Sequence, residues 1–144
     1  MNCKITIVPA FNGDSFLLEV GETFILIDGG YVDTYKKYIK PLLMKMHKNG
    51  IELSHLIITH IDADHISGAI KLLEENQDGA IAKINNIWHN SYRHLQSQQS
   101  VLKGTTNSKS SIKNILKERV NKNGSISAKQ GSTFGALILK GNYN

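Results

Sequence analysis

The sequence predicts a mixed α+β protein built as one layered domain. Strand-like alternation occurs near the N-terminus, amphipathic helical spacing follows it, and short apolar runs return further along the chain. Strands that alternate with helices favour a sheet packed against helices. A length of 144 residues suits a single domain with its own core.

The first three strand-like segments predict an antiparallel meander. Residues 4–10, 15–20 and 23–27 are rich in β-branched and apolar side chains, and short turn sequences separate them. The third segment leads into Asp28-Gly29-Gly30, where two glycines permit a sharp change of direction. Cys3 is the sole cysteine, which excludes an internal disulfide and a zinc–thiolate cluster. Its apolar surroundings predict a buried or half-buried position.

Helix, strand, helix and strand follow in that order. Residues 35–48 place apolar side chains at helical spacing, and Pro41 predicts a kink or two consecutive helices. The continuous apolar character of residues 53–59 predicts a buried strand. Residues 66–75 return to helical spacing, and residues 81–88 have the character of a further strand.

The last third of the chain gives weaker patterns. Residues 96–111 are rich in Ser, Gln, Thr and Asn, which favours a surface loop or an irregular connection. Residues 111–121 have helical spacing. Residues 125–128 and 136–140 are weak strand candidates, and residues 129–132 are expected to form a turn between them.

Composition and charge set only broad limits on function. The net charge of +5 is compatible with an anionic substrate or nucleic acid, but surplus surface lysine is the better explanation on charge alone. No secretory signal is visible, and no run approaches the roughly 20 apolar residues that span a bilayer. We therefore expect a cytoplasmic protein that does not bind a membrane.

Four side chains that can bind metals fall within six residues, namely His60, Asp62, Asp64 and His65. They lie between a predicted buried strand and a predicted helix, where a rigid scaffold can present them. Imidazole and carboxylate ligands suit divalent zinc, manganese or iron. In a short turn, His60 and Asp62 can bind one ion, and Asp64 and His65 can bind a second ion. The alternative is a polar surface loop whose acids cap the following helix.

The segment Thr59 to Gly68, THIDADHISG, resembles the signature loop of the metallo-β-lactamase superfamily, which usually reads His-x-His-x-Asp-His. Asp62 stands where that loop has its second histidine. This form is similar to the hydrolase domain of DNA-uptake competence proteins. Gly13-Asp14-Ser15 resembles a turn of that subgroup, and Ile27-Asp28-Gly29-Gly30 resembles a strand end found across the superfamily.

The resemblance implies an αββα sandwich and a two-ion metal site. His60 and Asp62 would belong to the first ion, and Asp64 and His65 to the second. Asp64 would also be catalytic, because it would orient the attacking water. An oxygen ligand at residue 62 moves the preference from zinc towards manganese or magnesium, although zinc remains compatible.

Further residues would support these ligands. By the resemblance, Asp28, Thr59 and Asp14 would fix the loop through hydrogen bonds. His89 follows a predicted strand of the same sheet, so it is a candidate contact to substrate or metal. The competing interpretation is a histidine bonded to nearby backbone.

The resemblance also implies ligands that this sequence lacks. The superfamily supplies a further His, a bridging Asp and a last His from later strands. After His65 the sequence offers only His89 and His94, and no Asp follows Asp78. We therefore expect residues 1–144 to be the N-terminal half of the sandwich, truncated at the C-terminus. An exposed half-sandwich would be prone to self-association.

Three functions follow as expectations. The first is a metal-dependent phosphodiesterase or nuclease-like hydrolase that acts through a metal-activated water on a small-molecule or nucleic-acid phosphodiester. The second is an ester, lactone or lactam hydrolase at the same site. The third is a non-catalytic partner module, because the later ligands are missing.

Overall fold

The computed structural model describes residues 2–10, 12–90, 122–141 and 143, with side chains of the last helix from residue 129 onward. The strands of these ranges are β1 (Cys3–Ile7), β2 (Phe16–Val20), β3 (Thr23–Ile27), β4 (Leu53–Ile58) and β5 (Ile84–His89). The helical segments are α1 (Val32–Thr34), a π-helical turn (Tyr35–Ile39), α2 (Lys40–Lys48), α3 (Ala63–Glu75) and α4 (Lys122–Lys140). This is the mixed α+β class that the sequence predicts.

The strands form one mixed sheet in the order β1-β2-β3-β4-β5. β1, β2 and β3 pair antiparallel, which confirms the predicted meander. β4 pairs parallel with β3, and β5 pairs parallel with β4. Parallel neighbours need crossover connections, and the helical segments after β3 and after β4 provide them. The carboxyl ends of β3, β4 and β5 therefore lie along the same edge of the sheet.

One face of the sheet carries a continuous row of buried side chains. The strand register places Leu17, Leu26, Leu56 and Ile87 beside one another on neighbouring strands, and all four are buried. Apolar side chains at helical spacing complete the same core; they include Tyr35, Ile39, Leu43, Met46, Ile66 and Leu72. The predicted apolar faces of the first and second helical regions are confirmed.

The opposite face of the sheet also carries an apolar row, but a partly exposed one. The register aligns Ile7, Phe16, Ile27, Ile57 and Trp88 across the five strands. Ile7 is 72% exposed and Trp88 is 59% exposed, and the three between them are half-buried. The expected self-association would use this face; self-association itself stays a prediction.

The predicted interruption at Pro41 is confirmed. Pro41 stands in the first turn of α2, directly after the π-helical turn Tyr35–Ile39. Proline lacks the amide hydrogen of a regular helix and its ring crowds the carbonyl four residues earlier, so the α-helical pattern cannot run through it unchanged. The widened π-helical turn accommodates that change.

The C-terminal strand predictions are wrong. Residues 125–128 and 136–140, and the turn expected between them, all lie in the single helix α4. Phe134 is fully buried, and Leu137 and Ile138 pack against the core. Leu137 and Ile138 lie three and four positions after Phe134, which is the spacing of one helix face. A short apolar run fits a strand and a buried helix equally well, and packing against α3 decides between them here. The expectations for residues 96–111 and 111–121 lie outside the described residues.

The predicted burial of Cys3 is also wrong, because the thiol is exposed. β1 is an edge strand with side chains on the uncovered face of the sheet. Among the helices of the described residues, none has the length and apolar character that a bilayer crossing requires.

A polar cluster at Glu75 ties the helices together. Lys40 Nζ and Tyr35 Oη donate hydrogen bonds to Glu75 Oε2 over 2.7 Å and 3.0 Å. Lys71 Nζ lies 3.4 Å from Oε1 of the same carboxylate. The Lys40 hydrogen bond is the main cause that lowers the pKa of Glu75 to about 2, with further lowering by Tyr35 and Lys71 against the opposing effect of desolvation. Burial, then the hydrogen bond to Glu75, raises the pKa of Tyr35.

The Glu75 cluster predicts a pH-dependent contribution to stability. The folded-state pKa lies below the ordinary value of 4.5, so the contribution is fully present above pH 4.5 and is lost as the pH falls through about 2. Glu75→Gln should lower the free energy of unfolding by about 1–2 kcal/mol at neutral pH, because it removes a charged hydrogen bond that is partly screened by solvent. Near pH 2 the difference from wild type should nearly vanish. Urea unfolding at both pH values measures this.

Glu74→Gln is the matched control for this measurement. Glu74 precedes Glu75 and forms an exposed ion pair with Lys71, 3.3 Å long. Its loss should change the free energy of unfolding by less than about 0.5 kcal/mol. Equal effects of the two substitutions at neutral pH would contradict the stabilising role of Glu75.

Candidate metal centre

The candidate site lies at the carboxyl ends of β3 and β4. Ile27 and Ile57 are paired in these parallel strands, so the chain segments that follow them emerge side by side. Asp28 follows β3 directly. Residues 59–65, here called the metal loop, follow β4 and enter α3. The topology thus brings together two motifs that are about thirty residues apart in the sequence.

The Asp28 carboxylate is the centre of the hydrogen-bond network. Its side chain is only 3% exposed. Oδ1 accepts from the backbone N–H of Thr59 over 2.8 Å, and Oδ2 accepts from the Thr59 hydroxyl over 2.6 Å. Oδ2 also bonds to Nδ1 of His65 over 3.0 Å. These contacts hold the entrance of the metal loop and one of its histidines to β3.

The network fixes the tautomers of both loop histidines. A carboxylate only accepts hydrogen bonds, so His65 Nδ1 must donate to Asp28. The Thr59 hydroxyl also gives its hydrogen to Asp28, and its oxygen lies 2.9 Å from Nδ1 of His60. His60 must then donate from Nδ1 as well. In the neutral state, both imidazoles therefore carry their hydrogen on Nδ1 and present a free lone pair at Nε2.

The two Nε2 atoms lie beside the two loop carboxylates. His60 Nε2 is 3.8 Å from Asp62 Oδ2, and His65 Nε2 is 3.5 Å from Asp64 Oδ2. The two imidazole rings are 3.7 Å apart between centroids and tilted by 47°. Neutral Nε2 and carboxylate oxygen are all acceptors, so no hydrogen bond can join them directly. A divalent cation placed between each nitrogen and its neighbouring carboxylate could accept a lone pair from both.

The Asp62 carboxylate does not act as a helix cap. Asp62 occupies the N-cap position of α3, yet its side chain makes no cap hydrogen bond. Its backbone carbonyl instead accepts from the N–H groups of His65 and Ile66, over 2.9 Å and 3.0 Å. This geometry weakens the alternative of a cap for Asp62, whereas Asp64 stands in the first turn of α3.

Close backbone contact holds α3 against the end of β3. Gly29 N donates to His65 O over 2.7 Å, and Gly68 N donates to Gly30 O over 2.8 Å. A Cβ on Gly68 would overlap the carbonyl oxygen of Gly29. Asp28 has a φ of 57°, a left-handed conformation that Asp tolerates better than most residues. These constraints set the distance between Asp28 and His65.

The N-terminal turn contributes two residues whose individual roles were not predicted. The buried Ser15 hydroxyl donates to the backbone oxygen of Asp28 over 2.9 Å. Gly13 lies against Asp64 so closely that an added Cβ would overlap its backbone. Asp14 is exposed and has no hydrogen bond or ion pair with another described residue, so its supporting role stays a prediction. The small residues of the Gly-Asp-Ser turn were the sequence feature from which these close contacts could have been predicted.

His89 is placed at the sheet edge near the metal loop. It ends β5, and the register pairs it with Ile58 at the end of β4. Its ring meets Phe134 of α4 edge-on, with centroids 5.1 Å apart. Contact of His89 with a metal or substrate stays a prediction.

Within the described residues, Asp28, His60 and His65 offer ligand atoms that all lie within 4.8 Å of one another. Asp62 and Asp64 add carboxylates beside the two imidazoles. Imidazole nitrogen and carboxylate oxygen are the donor types that bind divalent zinc and manganese in proteins. The donor set therefore fits a divalent metal ion.

The model of the Metallo-beta-lactamase superfamily matches residues 8–127, which is most of the chain. The chain belongs to the metallo-beta-lactamase superfamily. This family match confirms the fold class that the signature loop implied.

Individual superfamily relatives match the chain in part. It is 32% identical over 65 residues to the lactamase-like protein adaB of Aspergillus niger, which covers 45% of the chain and 20% of that protein. The solved structure of a Cronobacter sakazakii metallo-beta-lactamase with a HARLDQ motif is 20% identical to the chain, with a TM-score of 0.38. This match covers 62% of the chain and 31% of the Cronobacter protein. A Thermotoga maritima structure assigned to the metallo-beta-lactamases is 15% identical to the chain, with a TM-score of 0.38. This match covers 99% of the chain and 54% of the Thermotoga protein. The chain thus spans between a fifth and about half of these relatives.

The contact between Gly68 and Gly29 predicts that Gly68→Ala is destabilising. Alanine is the better helix former by about 1 kcal/mol, but its methyl group would meet backbone that cannot move aside. We expect a net loss of about 1–3 kcal/mol in the free energy of unfolding, as for other overpacked sites. Gly135→Ala in α4 is the control, because a Cβ there meets nothing within 4 Å. A stabilising Gly68→Ala would contradict the close contact.

Proposed function

We propose that the chain provides the metal-binding part of a metal-dependent hydrolase. His60 and Asp62 would hold one divalent ion, and Asp64 and His65 a second. The hydrogen-bond network supports this proposal most directly, because it leaves Nε2 of both histidines free beside a carboxylate. Superfamily membership supports the hydrolase class.

Asp28 would orient the ligands rather than bind the metal itself. Both of its oxygens already accept hydrogen bonds from Thr59 and His65. A carboxylate bonded to Nδ1 of a ligand histidine fixes the ring and makes its other nitrogen more basic. Thr59 would do the same for His60 through its hydroxyl oxygen. The network thus favours these two residues as supports of the loop, as the sequence predicts.

Asp64 would be the catalytic residue of this half of the site. Its side chain is 30% exposed, and the His65 side chain is 12% exposed, so the carboxylate can reach both a ligand and solvent. A carboxylate at this position can accept a hydrogen bond from a water molecule and orient it towards substrate. A bound divalent ion would lower the pKa of that water and polarise the substrate oxygen. Manganese and zinc are the proposed ions.

A phosphodiester is the proposed substrate class. The His-x-Asp-x-Asp-His form of the loop, which is similar to that of competence-type hydrolases, supports this class, and the net charge of +5 is compatible with an anionic substrate. The second candidate is an ester, lactone or lactam, which the match to a lactamase-like protein favours. The chain spans only part of the length of its relatives. Both substrate classes are therefore proposals for the complete hydrolase to which this metal-binding part would belong.

Metal binding is the first test of this function. Isothermal titration of the metal-free chain with Mn²⁺ and Zn²⁺ should show binding, and Asp64→Asn should weaken it by at least about tenfold, as loss of a neighbouring support already does. Asp33→Asn is the control, because Asp33 is an exposed acid in the first turn of α1. Equal affinities of wild type and Asp64→Asn would overturn the site.

A substrate panel is the second test. With Mn²⁺ present, the chain should hydrolyse a chromogenic phosphodiester, and Asp64→Asn should abolish that turnover. Turnover of a chromogenic ester or β-lactam instead would select the second candidate. Metal binding without turnover of any of these substrates would favour the non-catalytic module.

A further inference from the structure

Helix α4 contacts three segments around the metal centre, although 56 residues lie between it and the metal loop in the sequence. Gln130 Nε2 donates to the hydroxyl oxygen of Ser67 over 2.9 Å, two residues after His65. Phe134 is fully buried against the His89 ring at the end of β5. The third contact is to the metal loop itself.

Gly131 makes that third contact. A Cβ built on Gly131 would lie 3.2 Å from Cγ2 of Ile61, and 3.7 Å from its Cβ and Cδ1. Ile61 stands between His60 and Asp62, and its half-buried side chain packs against the core. The backbone of α4 therefore lies close against the side chain of this part of the loop. A Cβ at position 131 would require the Ile61 side chain to give way by a few tenths of an ångström.

The residues that make these contacts share one face of α4. Gln130 and Gly131, then Phe134, then Leu137 and Ile138 follow the spacing of an amphipathic helix. Leu137 and Ile138 anchor the helix to the core, and the two residues at the other end reach the metal loop and α3. The same face thus contacts the hydrophobic core at one end and residues next to the candidate ligands at the other.

We propose that α4 sets the position of the metal loop, with Gly131 and Gln130 as its positioning residues. Gly131 holds the His60–Asp62 side of the loop through Ile61. Gln130 holds the Asp64–His65 side through Ser67. This proposal rests on the proposed metal site for its functional meaning, but the mechanical coupling is a property of the chain without metal.

Gly131→Ala tests the coupling, with Gly135→Ala as its matched control. Both substitutions place alanine in α4 and gain the same helix propensity, about 1 kcal/mol. The Cβ at residue 131 crowds Ile61, whereas the Cβ at residue 135 meets nothing within 4 Å. Gly131→Ala should weaken Mn²⁺ binding about tenfold, the effect of disturbing a ligand support, and Gly135→Ala should not change it.

Hydrogen exchange in the metal-free chain provides an independent measurement. The amides of His65 and Ile66, which both bond to Asp62 O, should exchange several-fold faster in Gly131→Ala than in Gly135→Ala. Gln130→Ala should have the same effect from the α3 side.

The two measurements separate the two proposals. If wild type does not bind Mn²⁺, the proposed metal site falls, and the exchange rates alone decide on the coupling. If wild type binds Mn²⁺ but Gly131→Ala matches Gly135→Ala in affinity and exchange, the positioning role of α4 is overturned. A local change at His65 and Ile66 with unchanged global stability supports it.

Discussion

The buried carboxylate of Asp28 is the interaction on which the candidate site depends. It accepts from the Thr59 amide, the Thr59 hydroxyl and His65 Nδ1, so one group fixes the start of the metal loop and one of its histidines. Unsatisfied donors in this nearly dry position would be costly, which makes the arrangement hard to vary. The tautomers of both histidines follow from it.

Strand pairing and backbone contacts of the fold hold this carboxylate in place. Parallel pairing of β3 and β4 brings Asp28 beside Thr59, and backbone contact between Gly29 and Gly68 brings α3 close enough for His65 to reach it. The Ser15 hydroxyl holds the backbone carbonyl of Asp28 through a hydrogen bond. The core of buried side chains on one face of the sheet supports these elements, whereas the row from Ile7 to Trp88 on the opposite face remains partly exposed.

The sequence predicted the elements before residue 90 because their periodicity is strong and local. The alternation in β1 to β3 and the helical spacing around Leu43 each point to one structure. The metal loop was recognisable because four metal-binding side chains within six residues form a specific pattern. The superfamily resemblance implied that Asp28 would support this loop, but the parallel pairing of β3 and β4 that places it there was not predicted.

Other features could not be predicted because they depend on tertiary contacts. The apolar run in α4 fits a strand as well as a helix, and only packing against α3 selects the helix. The exposure of Cys3 depends on β1 being an edge strand. Ser15 and Gly131 are small residues with many ordinary roles, so their contacts with Asp28 and Ile61 become visible only in three dimensions.

Nitrogen NMR of the histidine side chains tests the central claim most directly. In the metal-free chain, at a pH where the imidazoles are neutral, His60 and His65 should both carry their hydrogen on Nδ1, with Nε2 unprotonated. Adding Zn²⁺ should then shift the Nε2 resonances of both residues. Hydrogen on Nε2 of either histidine, or Nε2 resonances unmoved by the metal, would contradict the account.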